Sequence, residues 1–411
     1  MNPFPMVRAD LKALRWLAFA IPLLIAVAVA MGVGIGAQER MLRQSSARAA
    51  DDFDLVIGAA GSQTQLVLTT VYLDLEALPL TDGALLNTLS KDPRVAAVAP
   101  IAFGDVVRGF PVVGTTPAFA GRWGRVAATE GRLFEKEGEA LIGADVSLKI
   151  GETFAPSHAT GGATHAFQAD AEEETRHRHE GVTYTVVGRL PRLGTPWDRA
   201  ILVPVESVWE THGLGNGHAQ DDAELGPPFD AKTVPGVPAI VVKPKRVADA
   251  YALRSSYRQG GTMAVFPAEV LVSLYKTVGD VRDVLVASSW ISNGLIFVAV
   301  LLLLLTLTGL RRRRYAVLRA LGAPAVYILT VVWLEAAILL ATGCGLGLIF
   351  GWGAAALVSR AIEAETGLRL AFSAGLTDVL FVVGLIGLGS LLALIPAVLT
   401  YRLPVSDALR S

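Results

Sequence analysis

The chain has 411 residues, of which 52% are hydrophobic and only 18% charged, against roughly a quarter charged in an ordinary soluble domain. With mean hydropathy at +0.49 and a formal net charge of -1, this composition excludes a plain soluble globule and a protein that holds nucleic acid by charge. The single cysteine, Cys344, excludes an intramolecular disulfide.

Taken in chain order, the first apolar run is Trp16 to Gly36. It is long enough to cross a bilayer and longer than the core of a signal sequence. It is read as a retained transmembrane helix within residues 1–37, with cleavage as the alternative. Residues 38–285 have no comparable run. They carry short β-branched segments between turn residues, such as Ala239 to Val242 and Tyr184 to Gly188, which predict strands of an inserted α+β domain. Further apolar runs predict transmembrane helices at 286–310, 325–358 and 376–401. The expected fold class is a four-helix membrane protein with a large α+β extracytoplasmic insert.

Orientation follows from Arg311, Arg312, Arg313, Arg314 and Arg319, which fill the link 311–324 with no acid among them. Short arginine-rich links stay in the cytoplasm. Four crossings then place both termini inside, including the tail 402–411, and put the insert and the link 359–375 outside. Gly343, Gly347 and Gly351 recur every four residues in the third helix. Such a stripe permits close helix approach in lipid, either within one bundle or across a dimer. Glu335 is the one clear acid inside the spans and is expected to reach for the cytoplasmic interface.

Two segments carry the functional argument. In the arginine link, Tyr315, Leu318 and Leu321 make an apolar stripe at helical spacing, and Gly322 and Pro324 end the helix. Such a helix can anchor at the membrane surface or dock a cytoplasmic partner. The second segment holds histidine: all six, His158, His165, His177, His179, His212 and His218, fall in one stretch of the insert. Four of them, His158, His165, His177 and His179, lie in an expected hairpin at 155–182 beside several carboxylates. Imidazole and carboxylate are zinc ligands, so these four are the candidate ligands of a weak, exchangeable metal site. Arg176 and Arg178 oppose that reading, and a solvated hairpin gathers the same residue types. No G-x-x-x-x-G-K-[ST] loop is present, and no nucleophile is paired with a base. A non-catalytic subunit is expected.

The segment "RRRRYAVLRALGAP" (311–324) resembles the coupling helix of MacB/FtsX-like ABC transporter permeases. The closing stretch from Pro396 to Arg410 is similar to that family's P-A…Y-R-x-x-P…A-L-R ending. Glu335 and the ordered segments around Gly114, Gly131, Glu139 to Gly143 and Gly151 to Phe154 fit as well. The resemblance implies a subunit in the bacterial inner membrane that works as a dimer, a homodimer by expectation, with a separate ATPase. That ATPase docks on Arg311, Arg312, Arg313, Arg314, Tyr315, Leu318, Arg319, Leu321 and Gly322. It further implies mechanotransmission, in which ATP-driven closure rearranges the outer domain and the helices form no conduit. Asp51 to Gly58 and Gly194 to Arg199 are similar to a sub-branch linked with zinc-responsive transport, so zinc is the expected metal. No tightly bound cofactor is expected, and ATP acts only through the partner. Membrane lipid and a periplasmic or outer-membrane-directed cargo or partner protein complete the expected contacts; nucleic acid is not among them. Two other readings stay open: release of lipoproteins or export of peptides or drugs, and FtsX-like activation of a periplasmic enzyme.

Overall fold

The computed structural model describes residues 2–13, 15–158, 181–218, 224–274, eight positions between 287 and 306, 311–366 and 374–401. The chain divides into two compact units. A helical unit comprises Met1–Leu42, Val278–Ala361 and Ala371–Ser411, and a sheet unit comprises Arg43–Thr277 with Ile362–Leu370.

The first two helices are α1 (Phe4–Ala13) and α2 (Arg15–Ala49). There follow β1 (Leu55–Ala59), α3 (Gln63–Tyr72), α4 (Ala84–Ser90), β2 (Val95–Val107), β3 (Phe110–Thr115) and the short α5 (Pro117–Ala120). Next come β4 (Glu130–Gly131), β5 (Glu139–Ile142), β6 (Thr153–Phe154), β7 (Ser157–His158) and β8 (Tyr184–Arg189). After a 3₁₀ turn at Pro196–Arg199 come β9 (Ile201–Pro204), α6 (Val205–Thr211), β10 (Ala239–Pro244), α7 (Val247–Ser256) and β11 (Thr262–Val265). The chain closes with α8 (Arg312–Ala320), α9 (Ala325–Thr366), α10 (Leu376–Leu392) and α11 (Leu394–Tyr401).

One mixed sheet runs β11-β1-β10-β2-β3-β9-β5-β8-β4, with β6 paired to β8 and β7 to β2. Both segments read as strands from the sequence are strands here, as β10 and β8. Their burial follows their place in the sheet. Central β9 is buried at all four positions, while β8 alternates buried and half-buried along its length, as one covered face requires. The core draws on both halves of the sheet, from Leu55 and Ile57 through Val112 to Ile201 and Val203.

β2 holds the two halves together. Val95 to Ile101 pair with β10, and Ala102 to Val107 pair with β3, with a register shift between Phe103 and Asp105. Beyond that bulge, Asp105 and Val106 also pair with β7 on the edge opposite β3. α6 packs down on this region so closely that a Cβ at Gly114 would lie 2.6 Å from Val208 Cγ2. Only glycine fits under the helix there.

In the helical unit, α2 and the stretch Ala325–Glu363 of α9 are long and apolar enough to cross a membrane, and α10 is a shorter apolar helix. The glycine stripe joins α2 to α9: a Cβ at Gly343, Gly347 or Gly351 would strike Ile25, Val29 or Val33 within 3 Å. α9 continues to Thr366, past the boundary at 358 that the apolar run suggests, because Arg360, Ala361, Glu363, Ala364 and Glu365 are good helix formers. α10 ends at Leu392, and α11 restarts with Pro396 in its first turn, where the missing N–H costs nothing. The expected second span, 286–310, lies largely outside the described residues. Ile291, Leu295, Val298 and Leu302 within it are helical and exposed, and their spacing puts them on one face. The tail 402–411 lies outside the described residues.

Part-buried ion pairs bracket the apolar stretch of α9. Arg311 donates to Glu335 near its start, and Arg40 and Trp352 both donate to Asp378 further along. Glu335 and Trp352 are about 26 Å apart along the helix at 1.5 Å per residue, close to the roughly 30 Å of a hydrocarbon core.

Candidate functional site

The arginine link folds as sequence spacing predicts, into the helix α8. Its C-terminus is a Schellman motif: Gly322 (φ 96°) donates to Arg319 O and Ala323 donates to Leu318 O, each at 3.0 Å. Its two faces differ sharply. Tyr315 is buried with Ile328, Val332 and Ala397, and Leu318 packs against the same cluster. These two point into the bundle, so the stripe read from the sequence is mainly an anchoring face. Val317 and Leu321, 44% and 80% exposed, form the outward apolar pair.

The arginines divide likewise. Arg311 lies at the N-cap of α8 and bridges Glu335 (2.9 Å) and Asp10 (3.5 Å). Arg314 reaches Asp10 at 2.5 Å. Asp10, on α1, is fully buried, so α1 is held to α8 through both arginines, and Arg311 carries the link on to Glu335 of α9. Glu335 is 8% exposed and meets Arg311 inside the protein rather than extending to water. Arg312 and Arg313 form the first turn of α8, Arg319 lies in its last, and Gly322 follows it on the exposed side.

The second constellation lies at the bulge of β2. His158 stands opposite Asp105 in the β2–β7 register, and its Nδ1 is 3.4 Å from Asp105 Oδ1. His212, the residue that closes α6, brings Nε2 to 3.8 Å from the same oxygen. One ligand atom from each of the three falls within 4.8 Å of the others. Of the four histidines expected to bind metal, His158 is placed here; His165, His177 and His179 lie outside the described residues. Asp105 and His212 were not among the expected ligands. His218 is elsewhere, buried against Glu206 at 3.5 Å and against the Phe229 ring.

The two stretches similar to the zinc-linked sub-branch meet in the core. Phe53 and Trp197 pack 5.7 Å apart, and the buried Arg122 lies between Trp197 (4.5 Å) and Phe119 (4.7 Å). Burial lowers Arg122 to about 10 despite Asp52 beside it. Asp198 accepts the backbone N–H groups of Leu193 and Gly194, and Trp197 Nε1 donates to Val71 O. This is a packed aromatic core in which the Trp197 indole and the Asp198 carboxylate both have hydrogen-bond partners, which is the structural account of the Trp197-Asp198-Arg199 loop.

Residues 24–259 match the family model of the MacB-like periplasmic core domain, and residues 287–410 match that of the FtsX-like permease C-terminal domain. The first alone spans more than half of the chain. The protein belongs to the MacB/FtsX-like family of ABC transporter permeases. None of the curated proteins matches it. Among solved structures, the extracellular domain of the noncanonic ABC-type transporter YknZ from Gram-positive bacteria aligns over 98% of its own length and 51% of this chain. Sequence identity is 11% and the TM-score 0.29, too low for that superposition to guide placement of this sheet. Membership makes the chain a membrane permease with a large periplasmic domain of helices and sheet. Permeases of this family are non-catalytic subunits served by an ATPase.

Proposed function

We propose that this permease spans the bacterial inner membrane four times, pairs with a second copy, and passes the stroke of a separate ATPase to its periplasmic domain in the service of zinc handling. The observation that carries the coupling is the division of α8 into two faces. Arg311, Arg314, Tyr315 and Leu318 hold its inner face to α1, α9 and α11. Val317 and Leu321 remain outward, next to the arginines of the same helix. A helix gripped this firmly moves with the bundle when a partner pushes its outer face, as a coupling element must. The histidine-bearing stretch of the periplasmic domain supports zinc as the metal.

Replacing Val317 and Leu321 together by Asp tests the docking. Both side chains are exposed, so the variant should insert and melt normally yet lose the co-purifying ATPase. An ATPase that still accompanies it would exclude α8 as the dock. Zinc handling has its own test, the growth of a deletion strain across limiting and excess zinc. Unchanged tolerance removes zinc and leaves lipoprotein release, peptide or drug export, or activation of a periplasmic enzyme.

A further inference from the structure

We infer that Asp105, His158 and His212 form a three-ligand site for a divalent transition metal, zinc by ligand type, at the bulge of β2. The inference rests on the metal half of the reading above and moves the site from the histidines of the segment 155–182 to the sheet itself.

The chain brings these groups together by register and not by sequence proximity. The bulge between Phe103 and Asp105 re-aims the strand. Asp105 then lies directly across from His158 in β7, the position at which side chains on one sheet face approach most closely. His212 is delivered by α6, which packs on the same sheet. Its Nδ1 lies 2.8 Å from the Val208 carbonyl. A carbonyl can only accept, so Nδ1 is the donor there, and Nε2 is the nitrogen turned toward Asp105. This is the usual second contact of a metal-bound histidine, which fixes tautomer and ring orientation before the metal arrives.

The spacing suits an ion. Zinc holding nitrogen and oxygen at about 2.1 Å in tetrahedral geometry separates neighbouring ligands by about 3.4 Å. The two distances to Asp105 Oδ1 are 3.4 and 3.8 Å. The imidazole rings are 5.3 Å apart and tilted by 56°, so they do not stack face to face. Asp105 is 3% exposed, and a cation beside it offsets the cost of burying its charge. Two imidazoles and a carboxylate are a borderline-soft donor set that favours zinc over calcium or magnesium. Three protein ligands leave a fourth position open, which makes the site exchangeable. With the ion in place, the strand that leads into the histidine-bearing segment is fastened to both β2 and α6.

The test uses the full chain in detergent, titrated with zinc against a chromophoric chelator and with cobalt(II) as a spectroscopic substitute. His212→Ala and Asp105→Asn should each weaken zinc binding by at least about tenfold. The triple variant His165→Ala/His177→Ala/His179→Ala should bind as the parent does. His158→Cys should restore what His158→Ala loses and add a thiolate-to-cobalt charge-transfer band; it probes the site even if the Asp105 variant folds poorly. Loss of binding in the triple variant, with retention in His212→Ala and no new band in His158→Cys, overturns this site and leaves zinc handling standing. No binding by the parent chain at micromolar zinc overturns both.

Discussion

At the scale of single residues, the protonation of Glu137 in the sheet unit reports on its surroundings near neutrality. Partial burial, with Glu210 as hydrogen-bonding and like-charged neighbour, raises the Glu137 carboxyl from 4.5 to about 7. A carboxyl raised in the folded state binds more protons folded than unfolded between those two values. Stability therefore falls as pH rises from about 4.5 to about 7, and the cost is complete above that window. Glu137→Gln should leave melting unchanged at pH ~5 and raise it at pH ~8. Much of the Glu137 side chain still meets solvent, so screening holds the gain below about 1 kcal/mol, or about 2 °C for a domain of this size. Differential scanning fluorimetry at the two pH values decides it, and an equal shift at both would mean that ionisation of Glu137 is not the cause.

At the scale of elements, α8 depends on charges that lie far apart in sequence. Arg311 touches both Glu335 and Asp10, whereas the cation nearest Glu335 is Arg311 itself. Arg311→Gln should therefore cost more than Glu335→Gln, approaching the roughly 3–5 kcal/mol of a buried charge left without its partner. The double variant should cost less than the sum of the two. Melting curves of the detergent-solubilised chain supply all three values, and strict additivity would mean that the pair is not coupled. The elements themselves were largely legible in the sequence. Apolar length marked α2 and α9, β-branched runs marked β8 and β10, and Gly322 marked the end of α8. The partners were not. Nothing local to Leu318 distinguishes an inward from an outward leucine; the packing of α9 and α11 decides that. Nothing in the histidine count says that His158 meets Asp105 and His212. That meeting depends on the β2–β7 register and on a bulge, both of which are long-range properties of the sheet. The sequence signal that pointed toward it was the confinement of every histidine to one part of the insert.

At the scale of the whole molecule, the glycine stripe has one assignment that structure supplies and sequence left open. Gly343, Gly347 and Gly351 each face the backbone or β-carbons of α2 at distances a side chain could not tolerate, so the stripe serves contact within one chain. Gly345 and Gly353 sit on the same helix, and a Cβ at either would meet nothing within 4 Å. The two classes make a controlled pair. Gly347→Val drives a branched side chain into Val29 and the Ala26 carbonyl. It should cost about 1–3 kcal/mol through overpacking and lower the melting temperature by several degrees. Gly345→Val adds the same atoms to the same helix in open space and should melt like the parent chain. Size-exclusion chromatography of both variants adds the second reading. If Gly345→Val melts normally but no longer elutes with a second copy, the open face of α9 is where two permeases meet, and the two glycine faces divide the work between folding one chain and pairing two.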